Sequence, residues 1–185
     1  APNGIAVDAE PRAMNVQTIR KCWAEELALP PSDGVLGRLF ALWTAQRGTA
    51  PAPNRSMIRA EELAFMLGRL NVIEVRAAAP RFWFRIFGTE IGKYRTDEMT
   101  GRSTEALVPR DYRAVIESHF AEAHARQQPT HHQIYLSNGP VVRKYRRIIL
   151  PYATDGDDAG VLLPGRHFPE STKEVVQSED FLRDD

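Results

Sequence analysis

The basic run Arg143-Lys144-Tyr145-Arg146-Arg147 alternates charge with an aromatic neighbour. On a strand, successive side chains face opposite ways, so Lys144 and Arg146 share one side and Arg143, Tyr145 and Arg147 the other. One of these sets must lie near the inner face of a sheet. Arg147 could there meet a ligand carboxylate or phosphate through its planar fork, or pair with an Asp or Glu of the core.

The histidines do not assemble a metal site by spacing. His119 and His124 sit about 140° apart around a helix, and His131 and His132 alternate across a strand. Cys22 is the single cysteine and has no local ligand partner. The carboxylates Glu74, Glu90, Asp97 and Glu98 are scattered and read as solvated surface. No G-x-S-x-G elbow, G-x-x-x-x-G-K-[ST] loop, G-x-G-x-x-G fingerprint or H-E-x-x-H helix is present. No catalytic or metal-binding residue is therefore expected. A small α+β enzyme with its active site in a cavity stands as the remoter alternative.

The 24 Lys and Arg residues balance 24 Asp and Glu residues, so composition favours neither nucleic acid nor an anionic membrane as a partner. Hydrophobic residues at 43% and charged residues at 26% are those of a chain that folds on its own. One cysteine leaves no intramolecular disulfide, and the opening APNGIAVDAEPR has neither the basic nor the apolar region of a secretory signal. A cytoplasmic location is the expectation.

The elements that must position these residues follow from periodicity. Val16, Ile19, Trp23 and Leu27 predict an amphipathic helix within Met14 to Leu29, and Leu36, Leu39, Phe40 and Trp43 a second one ending near Gly48. After the connector GTAPAPN comes a short helix-prone stretch, Ala60 to Leu70. NVIEVR (71–76) and RFWFRIF (81–87) predict an antiparallel hairpin, with Phe82, Phe84 and Ile86 on one face and Trp83, Arg85 and Phe87 on the other. Short helical pieces follow to Leu107, then a long helix from about Pro109 to Gln127. It carries Tyr112, Val115, Ile116, His119, Phe120 and Ala123 on one side. Thr130 to Leu136, Val141 to Pro151 and Ala159 to Phe168 predict a three-stranded meander, and a charged tail closes the chain. An antiparallel sheet of five strands with segregated helices is an α+β fold.

This order of elements, with the strings FRIFGT, DEMTGR, LVPRDYR and YRRIILPY falling on matching elements, resembles the PAS domain, and in particular a family of small alphaproteobacterial PAS proteins. In that family a "YRLVGT"-like strand, a "GRDLTGR"-like turn and a "YERLLLPL"-like strand stand in these places. LWTAQRGTAPAPNRSMI also resembles the family's helix and connector. The resemblance runs from about Val35 to Phe168. Arg146 departs from it, since an acidic residue is common there, and the first helix has no counterpart.

The resemblance implies a PAS-like five-stranded sheet curled against short crossover helices and one long helix, preceded by N-terminal amphipathic helices. The expected division is a helical extension over 1–54, the PAS-like domain over 55–168 and a tail over 169–185. It also implies a bacterial sensory or signalling module that binds a small molecule, a protein partner or both, with dimerisation through the N-terminal helices or the sheet. No kinase, cyclase or DNA-binding segment accompanies it, so its output is expected to pass through another protein. The alternative is a dimerisation or interaction module with a filled core. Residues expected at the interior ligand site are Phe84, Ile86, Tyr94, Met99, Tyr112, Ile116, His119, Phe120, Ile134, Arg147 and Ile149, with Leu107 and Leu163 beside them. Some PAS sensors hold haem through a histidine on the long helix, and His119 stands at such a place. Flavin photochemistry needs a cysteine after the crossover, where this chain has none.

Overall fold

The strand-forming segments pair into one antiparallel sheet, in the order Lys21–Glu26, Thr130–Ser137, Val142–Ala153, Gly160–His167, Val72–Val75, Phe82–Ile86. The computed structural model describes residues 19–32, 34–92, 98–139, 142–155 and 159–168. The strands are β1 (Lys21–Glu26), β2 (Val72–Val75), β3 (Phe82–Ile86), β4 (Thr130–Ser137), β5 (Val142–Ala153) and β6 (Gly160–His167). The helices are α1 (Gly34–Arg47), the single turn α2 (Thr89–Gly92) and α3 (Arg110–Arg126), with 3-10 turns at Arg55–Met57, Ala64–Met66 and Thr104–Ala106.

Two layers cover the sheet. Inner-facing Ile73, Val75, Phe84, Ile149 and Leu162 pack beneath Tyr112, Ile116, Phe120 and Ala123 of α3, together with Ile91, Met99 and Leu107. On the outer face, Leu36, Leu39 and Trp43 of α1 meet Ile148, Leu150, Tyr152, Val161 and Leu163. β5 serves both layers, because its consecutive residues face opposite sides. Trp43 also donates its indole N–H to the Pro151 carbonyl at 2.7 Å, tying α1 to the sheet. The helix expected to end near Gly48 is thus α1. The stretch expected to be helical over 60–70 forms only turns and one 3-10 turn.

Expectations for residues 21–26, Ile86 and Leu163 are corrected. The sheet has six strands rather than five, because residues 21–26, expected to be helical, form β1 against the edge of β4, from Lys21 opposite Ser137 to Glu26 opposite His132. The unpaired N–H and C=O groups of a strand edge outweigh a weak helical period. Trp23 stacks on Tyr135 with ring centroids 5.1 Å apart, and the Tyr135 hydroxyl donates to Glu25 at 2.8 Å. The helix proposed as a dimer contact is therefore absent over 21–26. Its residues 14–18 and the tail from 169 lie outside the described residues.

The second correction concerns Ile86. Ile73 lies opposite Phe84 and Val72 opposite Ile86, so Arg85 is an extra residue in β3. Such a bulge shifts the alternation by one and exchanges the faces beyond it. Phe87 turns inward at 5% exposure, while Ile86, expected inside, turns outward at 56%. Leu163, also expected inside, belongs to the outer layer beneath α1.

Gly88 follows this bulge and fixes the start of α2. A Cβ there would fall on the Gly68 carbonyl, which accepts the backbone N–H groups of Glu90 and Ile91 at 2.9 and 3.1 Å. The colliding atoms are backbone and cannot swing aside. Gly88→Ala should lower the unfolding free energy by about 2 kcal/mol, a typical cost for overpacking against backbone. Urea denaturation checks this, and an unchanged midpoint would contradict the close approach.

Candidate functional site

The inner face is apolar over β2 and β3 but polar over β4, β5 and β6. His132, Arg147 and Arg166 lie directly opposite one another across these three strands. Directly opposed residues share a face, so two guanidiniums stand side by side under α3. Arg147 is 0% exposed and Arg166 6%. Tyr145, two residues before Arg147, is buried beside them, with the Arg166 guanidinium 4.7 Å from its ring centre.

Two residues of α3 reach down to this row. His119 Nδ1 accepts a hydrogen bond from Arg147 Nη2 at 2.5 Å, and Arg166 Nη2 donates to the Tyr112 hydroxyl at 3.3 Å. Tyr112 and His119 are two helical turns apart and so lie on one face of α3. The His119 ring also stacks on His132, with centroids 3.7 Å apart and planes within 8°.

Two positive groups directly opposite in a sheet repel, and burial without counter-charge costs several kcal/mol for each ion. Among the described residues, neither guanidinium has a carboxylate at ion-pair distance. Arg147 Nε and Nη1, Arg166 Nε, the Tyr145 hydroxyl and His132 Nδ1 are buried without a hydrogen-bond partner among the described residues. Buried polar groups are nearly always satisfied, so five such atoms on four adjacent side chains mark a place for a further polar group. Burial lowers the proton affinity of Arg147 and the Arg166 charge lowers it further, but a guanidinium remains charged at neutral pH.

These cations control their neighbours. Burial, followed by the charge of Arg147 and then His132, pushes the His119 pKa down to about 3. Burial, Arg147 and His131 push His132 down to about 4. Both rings are therefore neutral at pH 7, as the accepting Nδ1 of His119 requires. Burial raises the Cys22 thiol to about 11, so it is protonated and a poor nucleophile at neutral pH.

The fold brings together Phe84, Met99, Tyr112, Ile116, Phe120, Ile134, Arg147 and Ile149 as buried side chains, with His119 half-buried at the polar end. Tyr94 lies outside the described residues. Ile86 borders a different cavity, of about 480 Å³, on the outer side of the sheet with Leu63, Met66, Leu67 and Val72. With Nδ1 accepting from Arg147, the neutral His119 ring carries its proton on Nε2, the nitrogen that would otherwise be free to ligate haem iron. Sequence reasoning missed Arg166 and His132 as members of this cluster, and put Tyr145 on the side of Arg147 without giving it a role. The alternation Leu162, Pro164, Arg166 along β6 was the available signal for Arg166. His132 was weighed only against His131, whereas its neighbour is on α3.

The sequence matches the PAS domain family over residues 34–163, from α1 to β6. The chain belongs to the PAS domain family. No curated protein matches it. PAS domains are in general sensory modules, and in this one the long helix covers a polar, cationic part of the inner sheet face. No helix among the described residues is long and apolar enough to cross a membrane.

The histidines make this PAS domain sensitive to acid. Their folded pKa values lie below the ordinary 6.5, so between about 6.5 and 4 the unfolded chain binds more protons than the folded one. The stabilisation is complete above pH 6.5 and is lost as pH falls toward 4. Urea midpoints should therefore drop between pH 7 and pH 5, and drop less in the double variant His119→Gln/His132→Gln. An identical slope in the variant would show that other groups carry the dependence.

Proposed function

We propose that this PAS domain is a sensory module that takes a small molecule between α3 and the inner face of β4–β6 and passes its occupancy to a protein partner. The observation that supports it is the opposed pair Arg147 and Arg166, buried with donor atoms left over. A module selected only to hold subunits together gains nothing from such a pair. Packed apolar residues in the same place are commonly neutral or more stabilising by 1 kcal/mol or more.

Transmission follows from the same contacts. α3 is held to the sheet through His119 on Arg147 and Tyr112 on Arg166. A molecule that binds the guanidiniums changes both attachments, and a differential affinity for two positions of α3 is what a ligand needs to shift their populations. The partner then reads α3 or the surface that moves with it. Location in the cytoplasm and assembly as a homodimer are part of the same proposal.

Native and denaturing mass spectrometry of the full chain tests this reading, together with a thermal-shift screen of acidic, basic and neutral metabolites. A released small molecule in stoichiometric amount, or a saturable stabiliser from the screen, is the expected outcome. A bare chain in both spectra that no compound stabilises would remove the sensory reading in favour of an interaction module.

A further inference from the structure

We infer that the occupant is a small oxyanion, a carboxylate or a phosphate, held between Arg147 and Arg166 with the Tyr145 hydroxyl as a third donor. The inference rests on the sensory reading above and specifies its ligand class.

Charge comes first. Arg147 and Arg166 are opposed on adjacent strands and both buried, and neither has a carboxylate within ion-pair distance among the described residues. Among the described residues, the side-chain hydrogen-bond partner of each is neutral: the imidazole of His119 and the phenol of Tyr112. A neutral ligand would leave the repulsion between the cations in place, and a cationic one would add to it. An anion removes it, and in a water-poor interior that compensation is far stronger than at a surface.

Hydrogen bonding points the same way. The unsatisfied guanidinium nitrogens, Arg147 Nε and Nη1 and Arg166 Nε, are all N–H donors, and the Tyr145 hydroxyl and a neutral His132 with its proton on Nδ1 can donate as well. An oxyanion is an acceptor with several lone pairs, so one small group can engage several of these donors. Guanidinium to carboxylate or phosphate bonds are charge-assisted and among the stronger ones in proteins. The aromatic and aliphatic side chains nearby, Phe120 and Ile116 on α3 and Ile134 on β4, suit an apolar body attached to the anionic head.

The anion also has a direct route to α3. An anion on the free Nε and Nη1 donors shifts the same guanidiniums whose Nη2 groups hold His119 and Tyr112. Amide exchange across 112–119 should therefore differ between free and occupied protein.

The test uses the full chain, with succinate and inorganic phosphate as oxyanion probes and succinamide as the neutral control, at constant ionic strength. Calorimetry and thermal melting should show saturable binding of at least one anion, with a midpoint rise of several degrees at saturation. Succinate alone would assign a carboxylate, phosphate alone a phosphate. Arg147→Met and Arg166→Met should each weaken that binding about ten-fold or more, while the ligand-free variants melt no lower than the parent, because each removes an uncompensated buried charge. Should either variant fail to fold, Tyr145→Phe removes one hydroxyl alone, beside that of Tyr112, and should weaken binding about three-fold with little change in stability.

The inference is overturned if neither anion binds, if succinamide binds as well as succinate, or if the substituted chains bind like the parent. A neutral or basic molecule released in the mass spectra would retain the sensory reading and remove the anion. A chain that nothing occupies would remove both.

Discussion

The alternation of β5 is the constraint on which the remaining structure depends. Its twelve residues send Tyr145, Arg147 and Ile149 toward α3, and Ile148, Leu150 and Tyr152 toward α1. A strand that is buried on both sides must have a residue for each layer at every step, and a slip of one would exchange them all. The buried guanidiniums are where they are because Arg147 shares a parity with Ile149. The same parity lays His132 and Arg166 beside it through the pairing with β4 and β6.

Most of the inner face obeys the ordinary economics of folding. Over β2 and β3 the aromatic rings of Phe82, Phe84 and Phe87 pack with Ile91, Met99 and Leu107, and among the described residues no buried side-chain polar atom is left unpartnered there. Over β4 to β6 the same layer contains two cations, two phenols and two neutral histidines. Burial of that kind is costly, and the proposed ligand site would account for that cost. The depressed histidines are a consequence, since any imidazole beside Arg147 in a poorly hydrated place resists a proton.

Much of the sheet was legible in local patterns. The hairpin of β2 and β3, the α3 face with Tyr112, Ile116 and Phe120, and the meander of β4 to β6 all follow from periods of two or 3.6 residues. The inward set containing Tyr145 and Arg147 was one of the two that alternation allowed. Where the reading failed, a non-local event intervened. Trp23 and Leu27 have helical spacing, but the open edge of β4 claims residues 21–26 as a strand. Ile86 has the parity of Phe84, but one inserted residue at Arg85 reverses it.

What the sequence alone determined is the set of local periods, the absence of the motifs of common enzymes, and a PAS-like order of elements that the family match over 34–163 supports. It also placed a basic run on a strand with Arg147 opposite in parity to Arg146. Only the tertiary structure decided that Arg166 would stand next to Arg147, that His119 would stack on His132, and that no described carboxylate would accompany them. The physical reason is one of range. Spacing along the chain fixes which side a residue faces, but the neighbour across a strand or beneath a helix is chosen by pairing between segments far apart in sequence. The charge balance of a buried site belongs to those neighbours.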